Sequence, residues 1–227
     1  CDGGYADHVL VPDAKYLVPY DGLSRDVACT YACSGITAYS ALKKIGTRKE
    51  SDWLCIIGCG GLGIGAIRIA KAISPARILA VDVSDARLDL AKAAGADAVL
   101  NSTKADIVSQ IQAQTGGGPH ATIDFVGSGE TFALAVDTAR RGGQIVIVGL
   151  FGGSTTLAPL AITTKLLRIE GSHVGTLQEL KDLVALAQTG KLPPVATIAM
   201  PYERATEALN ALKQGTGGEG RAVLQFS

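Results

Sequence analysis

Trp53-Leu54-Cys55-Ile56-Ile57-Gly58-Cys59-Gly60-Gly61-Leu62-Gly63 runs from five consecutive apolar residues into a glycine-dense turn. An apolar run of this length, bounded by glycine, reads as a strand buried on both faces, and Ile64–Ile73 beyond it carries a helical pattern. Gly58, Gly60 and Gly63 satisfy the spacing GxGxxG, with Gly61 and Leu62 completing the loop. The first glycine permits the tight turn after the strand. The second lets an anion approach backbone that carries no Cβ, and the third lets the helix pack on the strand. The unpaired amides and the dipole at the helix start then favour a pyrophosphate. In a chain with 28 glycines the spacing alone says little. Placed after a strand and at the head of a helix, it predicts a dinucleotide site.

The same alternation continues outward. Strand Ile78–Val81 leads to helix Ser84–Ala94, Ala98–Leu100 to Ala105–Gln114, and Thr122–Val126 to Glu130–Ala139. Strands Gln144–Val148 and Leu167–Glu170 close the series. Apolar strands alternating with helices predict an α/β fold, a doubly wound parallel sheet of the Rossmann type, over residues 38–172. Residues 1–37 and 173–227 flank it. In the first flank, Tyr5–Val11 and Tyr16–Val18 read as strands around Pro12-Asp13-Ala14, Ser24 as a helix N-cap, and Gly35 as a break in Ala28–Lys44. The second flank reads as helix Leu177–Gln188, a strand near Val195–Ala199, helix Tyr202–Lys213 and strand Arg221–Gln225. Neither flank is large enough for its own core, so they are expected to pack together or on a missing partner.

Composition removes several classes of function. Of 227 residues, 21 are Lys or Arg and 21 are Asp or Glu, so the net charge is zero and neither a nucleic-acid partner nor a membrane surface is favoured. Apolar residues make up 47%, which excludes a disordered chain, and no apolar run approaches the roughly 18 residues of a membrane span. The cysteines are Cys1, Cys29, Cys33, Cys55 and Cys59. An odd count without a CxxC pair points to small buried hydrophobes in the reducing cytoplasm, not to a disulfide framework. His8 and His120 read as structural or solvated.

Asp82 stands nineteen residues beyond Gly63, at the end of the second strand. An acid there accepts the hydroxyls of an adenosine ribose, and its charge opposes a 2′-phosphate, so NAD is expected in preference to NADP. Arg87, one turn further, is placed to stack on the adenine.

The sequence resembles the zinc-containing medium-chain dehydrogenase/reductase family, the NAD-dependent alcohol and polyol dehydrogenases. The resemblance rests on Asp2-Gly3-Gly4-Tyr5-Ala6 leading to Val11-Pro12, and on Ala32-Cys33-Ser34-Gly35-Ile36-Thr37-Ala38-Tyr39. It also rests on Gly58–Gly63 with Asp82, Ala94-Gly95-Ala96, Gly142-Gly143, Gly171-Ser172-His173-Val174-Gly175-Thr176 and Gly190-Lys191-Leu192. It implies that Cys33 is a ligand of a catalytic zinc and that Thr37 and Leu62 press on the nicotinamide. Val148, Ser172 and Val174 then offer backbone groups to the carboxamide, Phe125 and Val126 line the adenosine side, and Arg221 meets the pyrophosphate. His173 reads as a wall residue. The implied substrate is a small alcohol or carbonyl compound. The implied assembly is a homo-oligomer, dimer or tetramer, paired through the strand at Leu167–Glu170.

The departures from the family are equally specific. No earlier Cys ligand and no GHE motif precede Cys33, and the lobe of four closely spaced cysteines is absent. One ligand cannot hold an open-site zinc, which takes three from the protein. The chain therefore reads as a C-terminal fragment, with a cofactor domain, remnants of a GroES-like catalytic domain and no activity alone. Residue one, Cys1, starts no signal-peptide pattern. Three other readings remain open: a zinc-free quinone or enoyl reductase of the same superfamily, an NAD-sensing module without turnover, and a Rossmann methyltransferase. Asp82 and Cys33 oppose the first, and the third glycine and the Gly171–Thr176 stretch oppose the last.

Overall fold

A computed structural model describes residues 6–214, 216 and 220–226. Two helices, α1 (Arg25–Thr30) and α2 (Ile36–Lys44), come first, with a π-type turn at Tyr31–Gly35 between them in sequence. Then strands and helices alternate: β1 (Trp53–Ile57), α3 (Gly61–Ile73), β2 (Arg77–Asp82), α4 (Asp85–Ala93), β3 (Ala98–Asn101) and α5 (Ile107–Thr115). The series continues with β4 (Ala121–Asp124), α6 (Gly129–Thr138), β5 (Gln144–Ile147), α7 (Pro159–Lys165) and β6 (Arg168–Gly171). It ends with α8 (Leu177–Gln188), β7 (Thr197–Pro201), α9 (Ala205–Gln214) and β8 (Arg221–Gln225).

Six strands form one sheet in the order β3-β2-β1-β4-β5-β6, every neighbouring pair parallel. This is the doubly wound Rossmann arrangement. Parallel strands need crossovers, and the crossover helices bury both faces of the sheet, which is why β1 is buried at all five positions. On one face Trp53, Cys55, Ile57, Leu79, Val81 and Ile145 cluster with Ile111 of α5 and Ala135, Val136 and Ala139 beside and in α6. On the other, Ile56 meets α3 beside Gly63. Each fully buried Ile or Leu stabilises the fold by roughly 1.5–3 kcal/mol, and Leu54, Ile56, Ile67, Ile78, Leu79, Ile111, Ile123 and Ile145 are all under 2% exposed.

The chain divides into two compact units. One contains this sheet and covers Ser34–Thr176; the other takes the residues up to Cys33 and from Leu177 on, so the two flanks group together. In that second unit β7 and β8 pair in parallel, Tyr202 stacks on Phe226 with ring centroids 4.9 Å apart, and Gln188 donates to the Asp21 carbonyl.

Several sequence expectations need correction. Among the described residues neither Ala6–Val11 nor Tyr16–Val18 joins a β-ladder, and Tyr5 lies outside those residues, as do Cys1-Asp2-Gly3-Gly4 of the family motif. Asp13 accepts from the Lys15 amide and winds Ala14–Tyr16 into a 3-10 turn, while Val9 and Leu10 stay exposed. Gly35 does not break the helix. It sits at φ −65°, ψ −52°, inside helical space, and the extra residue of the segment is absorbed in the π turn. Ser24 caps α1 as expected, its hydroxyl accepting from the Val27 amide.

Candidate functional site

In a doubly wound sheet the order reverses between β1 and β4, so the loops after these two strands part and leave a crevice at their C-terminal ends. The sequence makes that crevice tight at its base. Gly58 has φ +90°, which L side chains rarely adopt, and a Cβ there would stand 2.7 Å from Val126 Cγ2, so the first loop touches the turn after β4. A Cβ on Gly63 would lie 1.9 Å from the Gly58 carbonyl oxygen, so the helix start is pressed against the strand end. Gly60 is different: nothing lies within 4 Å of where its Cβ would stand. It is the N-cap of α3 and offers no side chain to the first amides of that helix. The opening of α3 thus combines free space with unsatisfied N–H groups and the positive end of the helix dipole. This cradle fits a phosphate group.

Asp82 ends β2 and is 6% exposed. Its Oδ2 accepts from the Cys59 amide at 2.7 Å and its Oδ1 from the Ser84 amide at 3.0 Å, so the acid is fastened to the glycine loop itself. Arg87 places Nη1 3.9 Å from Oδ1. Beneath the loop, burial and the neighbouring Asp82 carboxylate push the Cys59 thiol up to about 12, and burial also raises the Cys55 thiol. Both stay protonated at neutral pH, and the crevice floor gains no thiolate charge.

The second wall is the turn after β4, organised by a residue that sequence reading passed over. Asp124 is fully buried. Its Oδ1 accepts from the amides of Val126 (2.9 Å) and Gly127 (3.0 Å), and its Oδ2 accepts from the Thr131 hydroxyl (2.8 Å). The Asp124 carbonyl accepts from the amides of Val148 and Gly149, and the Phe125 amide donates to Ile57. The spacing of an acid with amides two and three residues on, then a Ser/Thr cap, is a turn signature that could have found it.

The structure thus brings Gly58, Gly60, Gly61, Leu62, Gly63, Asp82 and Arg87 together at one wall, and Phe125, Val126 and Val148 at the other. Ser172 follows β6, is 7% exposed and donates its amide to Ile147. Val174 has φ +53°, a rare conformation for a β-branched residue. Thr37 is buried in α2. Cys33 and Arg221 belong to the other unit, Cys33 exposed and Arg221 at the start of β8. Among the described residues no group of three or more His, Cys, Asp and Glu stands where a metal ion could be held. The described residues do not by themselves make up a zinc site.

The sequence model of the family described as zinc-binding dehydrogenase matches residues 61–189, more than half of the chain. The chain belongs to the zinc-binding dehydrogenase family. Among its relatives, a protein named NAD-dependent alcohol dehydrogenase from Sulfurisphaera tokodaii is 40% identical over 225 residues, which is 98% of this chain and 64% of that one. An alcohol dehydrogenase of Geobacillus stearothermophilus is 35% identical over 226 residues, 99% of this chain and 65% of that one. In structure the chain resembles the alcohol dehydrogenase of Aeropyrum pernix with a TM-score of 0.81 at 35% identity, covering 89% of this chain and 59% of that one. The zinc-binding dehydrogenase chain described here therefore spans a little under two thirds of the length of these relatives.

Proposed function

We propose that the crevice binds NAD and that the chain is the cofactor-binding part of an NAD-dependent alcohol dehydrogenase. The observation that carries this reading is the buried Asp82, which is fastened to the Cys59 amide of a glycine loop whose Gly60 is open to solvent. Its carboxylate stands where it can accept from a ribose diol and repel a 2′-phosphate. The α3 amides take the pyrophosphate, Phe125 and Val126 flank the adenosine, and Arg87 lies over the adenine. The amides of Val148 and Ser172 already donate to Asp124 and Ile147, so the backbone groups these positions offer the carboxamide, together with Val174, are their carbonyl oxygens. Thr37 and Leu62 press on the nicotinamide. NAD, when bound, supplies the hydride-accepting ring; these residues orient it and keep water from it.

The substrate is a small alcohol or carbonyl compound, and residues 1–37 and 173–227 belong to the catalytic part, where Cys33 supplies one zinc ligand in an intact enzyme. Among the described residues no helix is long and apolar enough to cross a membrane. The buried thiols of Cys55 and Cys59 suit a cytoplasmic protein. Strand β6 is at the edge of the sheet, the helix before it and its C-cap expose Leu160 and Leu166, and the strand pairs with a second copy. Sedimentation at micromolar concentration should therefore show a dimer or larger species, and a clean monomer argues against that pairing.

Calorimetric titration of this chain with NAD tests the reading. One saturable site is expected, without stoichiometric zinc in metal analysis and without alcohol-dependent NADH formation. Absence of binding sinks the proposal, and turnover with bound zinc would show the catalytic site to be complete.

A further inference from the structure

Asp124 satisfies three donors from a position with no solvent exposure. A buried carboxylate is costly unless it is well paired, and a turn of this length does not need one to close. What this carboxylate does is hold two segments in one shape. Through Oδ1 it fixes the amides of Val126 and Gly127; through Oδ2 it fixes the Thr131 hydroxyl. That hydroxyl also accepts from the Ser128 amide at 3.0 Å, while the Thr131 amide donates to Ser128 Oγ, closing a capping box at the head of α6. The held turn is in turn laced to the loop after β5. Phe151 donates to the Val126 carbonyl, Gly152 donates to the Gly127 carbonyl, and a Cβ on Gly149 would stand 2.0 Å from the Val126 carbonyl carbon. Val126 is also the residue that touches Gly58 of the glycine loop.

We propose that Asp124 is a positioning residue for the dinucleotide: its carboxylate sets the turn 125–131 that forms one wall of the crevice, and so governs affinity without touching the ligand. The inference rests on the NAD reading and deepens it. The Asp124 side chain holds the amides of Val126 and Gly127 in the adenosine-side wall, whereas the Val148 amide is held by the Asp124 backbone carbonyl, which every substitution retains. Side-chain variants should therefore loosen the grip on the adenosine part of the ligand and leave the nicotinamide contacts in place.

The test measures binding of NADH and of ADP-ribose to the full chain, together with thermal unfolding. Thr131→Val removes one donor to the carboxylate, and with it the acceptor of the Ser128 amide, and should weaken both ligands by the same factor, about tenfold. Asp124→Ala orphans the Val126 and Gly127 amides and frees the Thr131 hydroxyl, and should cost more than about tenfold in both. Asp124→Asn keeps an oxygen for Val126 and Gly127, and the Thr131 hydroxyl can turn to the Ser128 carbonyl at 3.2 Å, so it should recover most of the affinity. If Asp124→Ala does not fold, Thr131→Val against Asp124→Asn carries the comparison. A lowered unfolding temperature with unchanged affinities well below it means a structural role only and overturns the proposal. Loss for NADH but not for ADP-ribose also overturns it. If the unsubstituted chain binds neither ligand, the NAD reading itself has failed and this inference falls with it.

Discussion

At the C-terminal ends of β1, β2 and β4, the buried acids Asp82 and Asp124 accept from backbone amides and one hydroxyl, and so shape loops. At the N-terminal ends of the same sheet, polar side chains pair mostly with each other. Arg48 donates to Gln144, Gln144 donates to Glu170 and to the Lys44 carbonyl, and His120 lies 3.3 Å from Asp52 with Arg140 against its ring. Arg77 covers the Trp53 ring, 4.4 Å from its centroid. At this end side chains take up most of the hydrogen bonds, with the buried Arg48 Nε left over. The other spends acids on loop geometry and leaves the amides of α3 open, which is what a binding end requires and a structural end does not.

The largest effect that separates fold from binding comes from two glycines of one loop. Gly63→Ala would drive a methyl into the Gly58 carbonyl, and chemical denaturation should show a loss of more than about 3 kcal/mol or no folded protein. Gly60→Ala meets nothing in the protein, so stability should stay within about 1 kcal/mol while NAD affinity falls by about tenfold or more. A Gly60→Ala chain that binds normally would break the assignment of the binding end.

The structural end is probed by acid. The Trp53 amide donates to His120 Nδ1 at 3.0 Å, which requires that nitrogen to be unprotonated. Burial, and then the Arg140 charge, hold the His120 pKa below its ordinary 6.5, with Asp52 opposing them. The unfolded chain therefore takes up the proton first. The stabilising contribution is complete above about pH 6.5 and is lost as pH falls below that toward the lowered value. The unfolding midpoint should drop over this range more for the unsubstituted chain than for His120→Asn, and equal drops would remove His120 as the cause. A smaller effect is expected at Val174. Relief of its φ of +53° in Val174→Gly should stabilise the protein by about 1 kcal/mol in denaturant titration.

Much of the sheet was legible because parallel strands are apolar at every position and glycines punctuate them. Helix α8 and strand β8 fell where the pattern put them, Leu177–Gln188 and Arg221–Gln225. Helix α7 was missed for a physical reason: none of its residues is buried, so Pro159–Lys165 carries no apolar stripe, and only Pro159 at its first turn marks it. The segment Tyr5–Val11 reads as a strand because its β-branched and aromatic residues favour that backbone, but a strand exists only with a ladder partner, and the described part, Ala6–Val11, has none. In the site, the glycine loop and Asp82 could be read from spacing. For Asp124 spacing marks at most a turn acid, because its importance lies in burial and in three donors that only the folded turn brings together.

The most direct measurement is the affinity of this chain for NADH and NADPH, before and after Asp82→Ser. The expected result is a preference for NADH of about tenfold or more that shrinks toward equality when the carboxylate is removed, alongside a stability loss of about 1–3 kcal/mol from the orphaned Cys59 amide. Equal affinities in the unsubstituted chain, or a preference that survives Asp82→Ser unchanged, would contradict the placement of the adenosine ribose at Asp82.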